Sequence, residues 1–175
     1  GDKSPFPDSG AQTCRPGGEK ETWDLVVHAS NDRESSRTKD HKDLPQAADS
    51  ASNRYIDQKD VTIRQLAAEV EAAETEAMLA RALAEKVYVW ITRKDFSTVL
   101  ATATEVARTR SGDCTEHAVL LAALARARGL PARVVVGLVY VPSLGGFAYH
   151  MWNQIWCDGA WHFYDATRPD GRCGA

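Results

Sequence analysis

The sequence predicts an α+β fold in which helices come first and an antiparallel meander follows. Three observations carry this expectation. Apolar residues recur at helical spacing from Asp60 onward. An Ala- and Leu-rich run without Pro or Gly reaches to Gly129. From Arg133 the composition turns to β-branched and aromatic residues punctuated by turn signals.

Taken in order, residues 1–22 are rich in Pro, Gly and charge, and Trp23-Asp24-Leu25-Val26-Val27 has the composition of one strand. Residues 30–53 are almost wholly polar and read as a linker or long loop. Residues 1–53 are therefore expected to be a polar segment, the tail of an upstream domain or a linker, without a catalytic role. The catalytic domain is expected over 54–175. Asp60 caps a helix that places Ile63, Leu66, Ala67 and Val70 on one face. A second helix from Thr75 carries the stripe Leu79, Leu83, Val87, Trp90 and Ile91, and both stripes read as core. A short helix over Thr104 to Arg108 leads to Ser111-Gly112-Asp113. The next helix opens at Cys114 with Asp113 as its N-cap. It stops at Gly129, and Pro131 bars its continuation. Strands follow over Arg133 to Val141, Phe147 to Trp156 and Trp161 to Tyr164. They are joined by a turn at Pro142 to Gly146 and a tight Asp158-Gly159 hairpin.

The chain has 175 residues, 43% of them hydrophobic, a formal net charge of -3 and a pI near 6.0. That size suits one domain or one domain plus a piece of another. The acidic balance argues against nucleic acid as a partner. No apolar run approaches the roughly 18 residues of a membrane span. The chain begins Gly-Asp-Lys-Ser, with no initiator Met and no signal-like stretch. It is thus expected to belong to a larger polypeptide, with an exported or periplasmic setting favoured over the cytoplasm. The four cysteines, Cys14, Cys114, Cys157 and Cys173, show neither C-x-x-C spacing nor a zinc-ribbon pattern. No cofactor or metal is expected.

A thiol attacks as its thiolate, and a helix N-terminus favours that anion. Cys114 stands at such an N-terminus, just after a Gly that would let substrate approach. The same backbone N–H groups can hold an oxyanion. Set against this is the plain reading of Cys114 as a buried structural residue. The candidate bases are His28, His41, His117, His150 and His162. His117 lies one turn after Cys114 but points along the helix, away from its mouth, which suits a structural role. His150 lies in a strand beyond a Gly-rich turn. Pairing about the Asp158-Gly159 hairpin brings 150–152 opposite roughly 164–166, so Asp165 can be a cross-strand neighbour that orients the imidazole. Taken singly, a strand His and a turn Asp are commoner than catalytic ones.

Four blocks in order strengthen this reading: Gly112-Asp113-Cys114-Thr115-Glu116-His117-Ala118; Gly129-Leu130-Pro131-Ala132-Arg133-Val134-Val135; Tyr149-His150-Met151-Trp152; and Trp161-His162-Phe163-Tyr164-Asp165-Ala166-Thr167. They resemble the successive signatures of the transglutaminase-like superfamily, especially its bacterial branch, over about Tyr55 to Thr167. The resemblance implies a papain-like core with the Cys helix packed on an antiparallel sheet. It also implies a triad of Cys114, His150 and Asp165, and a peptide or protein amide as substrate. In some relatives an upstream aromatic side chain assists the oxyanion. The corresponding region here is near Phe96, which has no donor, with Trp90 as a substitute that reads more simply as core. Two rival readings remain: a non-catalytic binding or assembly module on the same fold, and a metal site built from Asp113, Cys114, His117 and His150. Hydrolysis and protein cross-linking share the triad and differ only in what attacks the thioester.

Overall fold

The computed structural model describes residues 12–19, 22–27, 43–95, 100–171 and 173. Strands β1 (Gln12–Pro16) and β2 (Trp23–Val27) form an antiparallel pair, with Cys14 opposite Leu25. β2 coincides with the expected strand. β1 lies in breaker-rich sequence with no period of its own, and its order comes from pairing with β2.

Among the described residues five α-helices and three strands follow, with a 3-10 turn over Pro142–Leu144: α1 (Ala47–Ser50), α2 (Val61–Ala68), α3 (Glu76–Trp90), α4 (Ala103–Thr109), α5 (Cys114–Ala127), β3 (Ala132–Val141), β4 (Gly146–Cys157) and β5 (Ala160–Tyr164). The cap expected of Asp60 is present, and Thr75, where the second helix was expected to start, also serves as a cap. Asp60 accepts from the Thr62 N–H at the start of α2, and Thr75 accepts from the Met78 N–H at the start of α3. The buried face of α3 is Ala80, Leu83, Ala84 and Val87, with Leu79 and Trp90 only half-buried. Leu83, Val87 and Ile91 of the expected stripe lie in the core and Leu79 and Trp90 pack against it, with Ala80 and Ala84 added to the face. Ala84 lies against Gly171, where a Cβ would come within 2.9 Å of it.

α5 is the centre of the molecule. Residues 116–125 are all buried, since α2, α3 and α4 pack on it from one side and β3 and β4 from the other. A helix with no solvent face has to be apolar all round, and Ala118 to Ala125 supplies that. The sheet has the order β3-β4-β5 and is antiparallel throughout. Asp158 and Gly159 have φ of 52° and 80°, the left-handed pair that a two-residue hairpin needs. Glu76 accepts from the Asp158 N–H (2.8 Å) and Asp158 from the Ala77 N–H (3.3 Å), which ties this hairpin to the start of α3.

The polar stretch before residue 54 contributes contacts to this body. Arg133 holds Asp49 with two bonds of 2.9 and 3.0 Å and Asp43 with one of 2.8 Å, and its guanidinium lies 4.0 Å above the Trp161 ring. Trp161 donates to the Asp43 carbonyl (2.7 Å), and Arg126 donates to the Ala51 carbonyl. Asp49 is buried. Burial opposes its ionisation, but the bonds from Arg133 and the Gln46 N–H outweigh that, so its carboxyl titrates below the usual range. A depressed folded-state pKa adds stability that is present above the unfolded value and lost as pH falls through the folded one. Asp49→Asn is therefore expected to destabilise the chain by about 2 kcal/mol at neutral pH. It should also flatten the acid limb of stability below about pH 4, measured by urea unfolding across pH.

Candidate active site

The site begins with the way α5 is started. Asp113 accepts from the Thr115 N–H (2.8 Å) and from the Glu116 N–H, while the Glu116 carboxylate turns back to accept from the Asp113 N–H (3.0 Å). Glu116 also accepts from the Ala101 N–H (3.2 Å) and is fully buried, and burial raises its pKa. Gly112 is required here for space: a Cβ on it would come within 2.2 Å of the Glu116 Cβ. The group that Gly112 admits is thus the Glu116 side chain rather than a substrate. The reciprocal cap also occupies the second and third amides of the helix. Of the helix-mouth N–H groups expected to serve an oxyanion, these bonds leave that of Cys114 itself.

Cys114 is half-buried at the first position of α5. A hydrogen bond with His150 lowers its pKa from the ordinary 9.0, and burial opposes the shift. The Met151 N–H, directed at the sulfur, also favours the thiolate. His150 in turn bonds Asp165 Oδ2 through Nε2 at 2.8 Å, which leaves Nδ1 for the sulfur. The bond to Asp165 and then the bond to Cys114 raise the imidazole to about 9. Asp165 is buried. Burial works against its charge, but bonds from His150, the Thr167 N–H (2.9 Å) and the Thr167 hydroxyl (2.6 Å) hold its carboxyl below the usual range. The three expected residues therefore come together. The register is slightly different from expectation. Asn153 pairs with Tyr164, so the next step along β5 sets Asp165 beside Trp152, and His150 reaches it diagonally from two residues away on the same face.

His117 is buried. Its Nδ1 bonds the Asp113 carbonyl and its Nε2 lies 3.1 Å from Lys94 Nζ. Burial lowers its pKa, and a neutral ring with N–H on Nδ1 satisfies both neighbours. With both nitrogens engaged, it suits the structural role expected of it. Among the described residues no group of three or more His, Cys, Asp or Glu is arranged to hold a metal. His162 lies in β5 opposite Ile155. His28, His41 and Phe96 lie outside the described residues. Trp90 donates its indole N–H to the Ala107 carbonyl (2.9 Å), so that donor is already used in packing α3 on α4. Cys157 is buried, and burial pushes its thiol up to about 12, the reverse of Cys114.

Asn153 and Gly137 went unnoticed in the sequence reading, and Trp152 entered it only within a motif block. Asn153 is fully buried and donates to the carbonyls of Ala118 (2.9 Å) and Arg133 (3.3 Å), clamping the middle of β4 to the Cys helix. Its signal was a polar residue between Met151 and Ile155, at an inward position of an alternating strand. Trp152 stacks beside His150, with centroids 6.1 Å apart. Gly137 makes room for that indole, since a Cβ there would meet it at 2.3 Å.

A cysteine at the mouth of a buried helix, facing an antiparallel sheet that carries His and Asp, defines an α+β core of the papain-like kind. The chain belongs to the transglutaminase-like superfamily, whose model matches residues 64–166. It is similar in structure to a candidate cysteine protease from Cytophaga hutchinsonii, with a TM-score of 0.60 and 23% identity over 70% of this chain and 42% of that one. It is also similar to the periplasmic domain of TgpA from Pseudomonas aeruginosa, with a TM-score of 0.51 and 24% identity over 68% of this chain and 47% of that one. At such identities the likeness is one of fold, and the chain spans less than half the length of either structure. No curated protein matches it in sequence.

Proposed function

We propose that this chain is a thiol-dependent amide or peptide hydrolase or acyltransferase, with Cys114 as nucleophile, His150 as acid and base, and Asp165 as the carboxylate that orients it. The observation that carries the reading is the bridging position of His150, bonded to Cys114 on one side and to Asp165 on the other. Transfer of the thiol proton to His150 gives a thiolate–imidazolium pair. The thiolate adds to the amide carbonyl, and the Cys114 N–H faces the developing oxyanion. The imidazolium then protonates the amine nitrogen as the C–N bond breaks, leaving a thioester on Cys114. Water or a second amine attacks the thioester while His150 takes its proton, and collapse of the adduct restores the thiolate.

The bonds that reach residues 43–51 support extending the catalytic unit back to Asp43, ahead of the boundary at 54. The periplasmic setting of one structural neighbour supports placing the unit outside the cytoplasm as part of a larger polypeptide.

The pH dependence follows from the two shifts. Cys114 is lowered and His150 raised to about 9, so the ion pair fills the window between them. Amide turnover is expected to rise as Cys114 ionises, below its ordinary 9.0, and to fall near pH 9 as the imidazolium loses its proton. The direct test is the intact mass of the chain after incubation with peptide thioesters, followed by peptide mapping. An acyl adduct on Cys114 that water or added amine discharges supports the proposal. No adduct on Cys114 in the folded chain overturns it.

A further inference from the structure

β3 and β4 run far beyond the part of the sheet that β5 covers. β5 pairs with β4 only over Asn153 to Cys157, whereas β3 pairs with it from Gly146 to Ile155. Among the described residues, the second edge of β4 from Gly146 to Trp152 has no neighbouring strand.

The direction of its backbone groups can be read from three bonds. In an extended strand the N–H and C=O of one residue point to the same side, and the side alternates along the chain. The Trp156 N–H donates to the Pro131 carbonyl, so even-numbered residues of β4 address β3. Cys157 and Ala160 close the two-residue hairpin, so odd-numbered residues address β5. Beyond the reach of β5, the Met151 N–H turns to the Cys114 sulfur, as the same alternation requires. The next odd residues, Tyr149 and Phe147, therefore aim their N–H and C=O groups along the same open edge, away from β3.

The side chains agree with the backbone. Tyr149 and Phe147 are 84% and 58% exposed, and with Leu138 and Tyr140 across the pair they make an apolar face. From Val134 to Trp152 the sequence has no Asp, Glu, Lys or Arg, in a chain where such residues make up 26%. An exposed apolar face beside an unpaired edge calls for an occupant. This one starts at the nucleophile.

We propose that the open edge of β4 is a substrate subsite, which takes an extended, uncharged peptide segment as an added strand on Tyr149 and Phe147. The inference deepens the amide-directed reading above and rests on it. Strand addition draws affinity from main-chain hydrogen bonds and selectivity from alternate side chains. At about 3.4 Å per residue, Tyr149 and Phe147 lie two to four residues from the reacting carbonyl. The preferred substrate is a polypeptide in extended form, with apolar side chains at alternate positions over that stretch. Short amides and helical segments are poor substrates.

The test is a backbone N-methylation scan with the native chain. Two series of Ala/Leu/Phe peptides carry a thiol-reactive electrophile, one lengthened on its N-terminal side and one on its C-terminal side. Rates of Cys114 labelling are compared as each amide is methylated singly. In one series, methylation at alternate positions two to four residues from the electrophile is expected to slow labelling about tenfold, and methylation between them less than about twofold. Rates that ignore peptide length, or show no alternation in either series, overturn the subsite. So does an apolar face that proves to bind neutral phosphatidylcholine vesicles or a second copy of the chain while peptide length has no effect. Iodoacetamide labelling at pH 6 separates the two levels of inference. If Cys114 is no faster than Cys157, the catalytic reading fails. If Cys114 is fast but the scan is flat, only the subsite fails.

Discussion

Replacing His150 with Ala is expected to lower amide turnover by roughly a thousandfold or more. It should also return the Cys114 thiol toward its ordinary ionisation. His150 is the largest influence lowering that thiol, ahead of the Met151 N–H. Without the imidazole, burial and the Asp113 charge act against a thiolate that keeps only the backbone donor. The rate of iodoacetamide labelling against pH measures the shift, and acyl-adduct formation measures the chemistry. Asp165→Asn should reduce turnover less completely, since the imidazole keeps a hydrogen-bond partner while losing the charge that raises it to about 9. His117→Ala discriminates between the two histidines. It removes a buried ring bonded to Asp113 and near Lys94, so it should destabilise the fold by about 2 kcal/mol, while the folded protein still acylates. Acylation that survives His150→Ala but is lost in folded His117→Ala would reverse the assignment.

Gly112→Ala is expected to be among the most damaging additions of a single methyl group at the described glycines. The added Cβ would meet the Glu116 Cβ at 2.2 Å and Cγ at 2.4 Å, and the φ of 152° suits glycine. The flexible end of a side chain could swing away, but Cβ is fixed to the helix backbone, so the Gly112 segment or the first turn of α5 must move. Moving it breaks the reciprocal Asp113–Glu116 cap and leaves a buried carboxylate without the Asp113 N–H. A loss of about 2–4 kcal/mol follows from overpacking and the broken cap together. Because Cys114 is the first residue of that turn, labelling at pH 6 should fall even where the chain still folds. Denaturant unfolding and site-resolved alkylation check the two halves separately. An unchanged Cys114 rate in a folded variant would show that the sulfur is positioned by something other than the cap.

The α5 segment was legible because several local signals agree there: an Asp N-cap, an unbroken Ala/Leu run and a Gly stop. The Asp158-Gly159 hairpin was legible for the same reason, since its turn chemistry permits few alternatives. β1 was not legible, because nothing in Gln12 to Pro16 marks a strand until β2 is beside it. The stripe of large residues on α3 was legible as core, but Ala80 and Ala84 were passed over, because the demand for a small side chain, as at Ala84 beside Gly171, comes from a contact distant in sequence. The residues proposed as a triad could be singled out from four ordered sequence blocks, and the structure brings them together. The parts that hold them could not, because Asn153 and Gly137 matter through contacts made across elements. The contacts of the stretch before residue 54 were hidden for a related reason: the partner of Asp43 and Asp49 is Arg133, about ninety residues further on.

The burial of α5 on every side also bears on how such a protein can change over generations. Between Glu116 and Ala125 there is no outward position at which a substitution would go unfelt. The helix that presents the sulfur is therefore nearly closed to variation. The ribbon that presents the imidazole is the opposite case, because every second side chain from Val136 to Tyr149 stands in solvent. The proposed nucleophile heads a helix where drift is least tolerated, and the surface beside it sits where drift is cheapest. A lineage built on this plan can alter what it acts on without reopening how it acts.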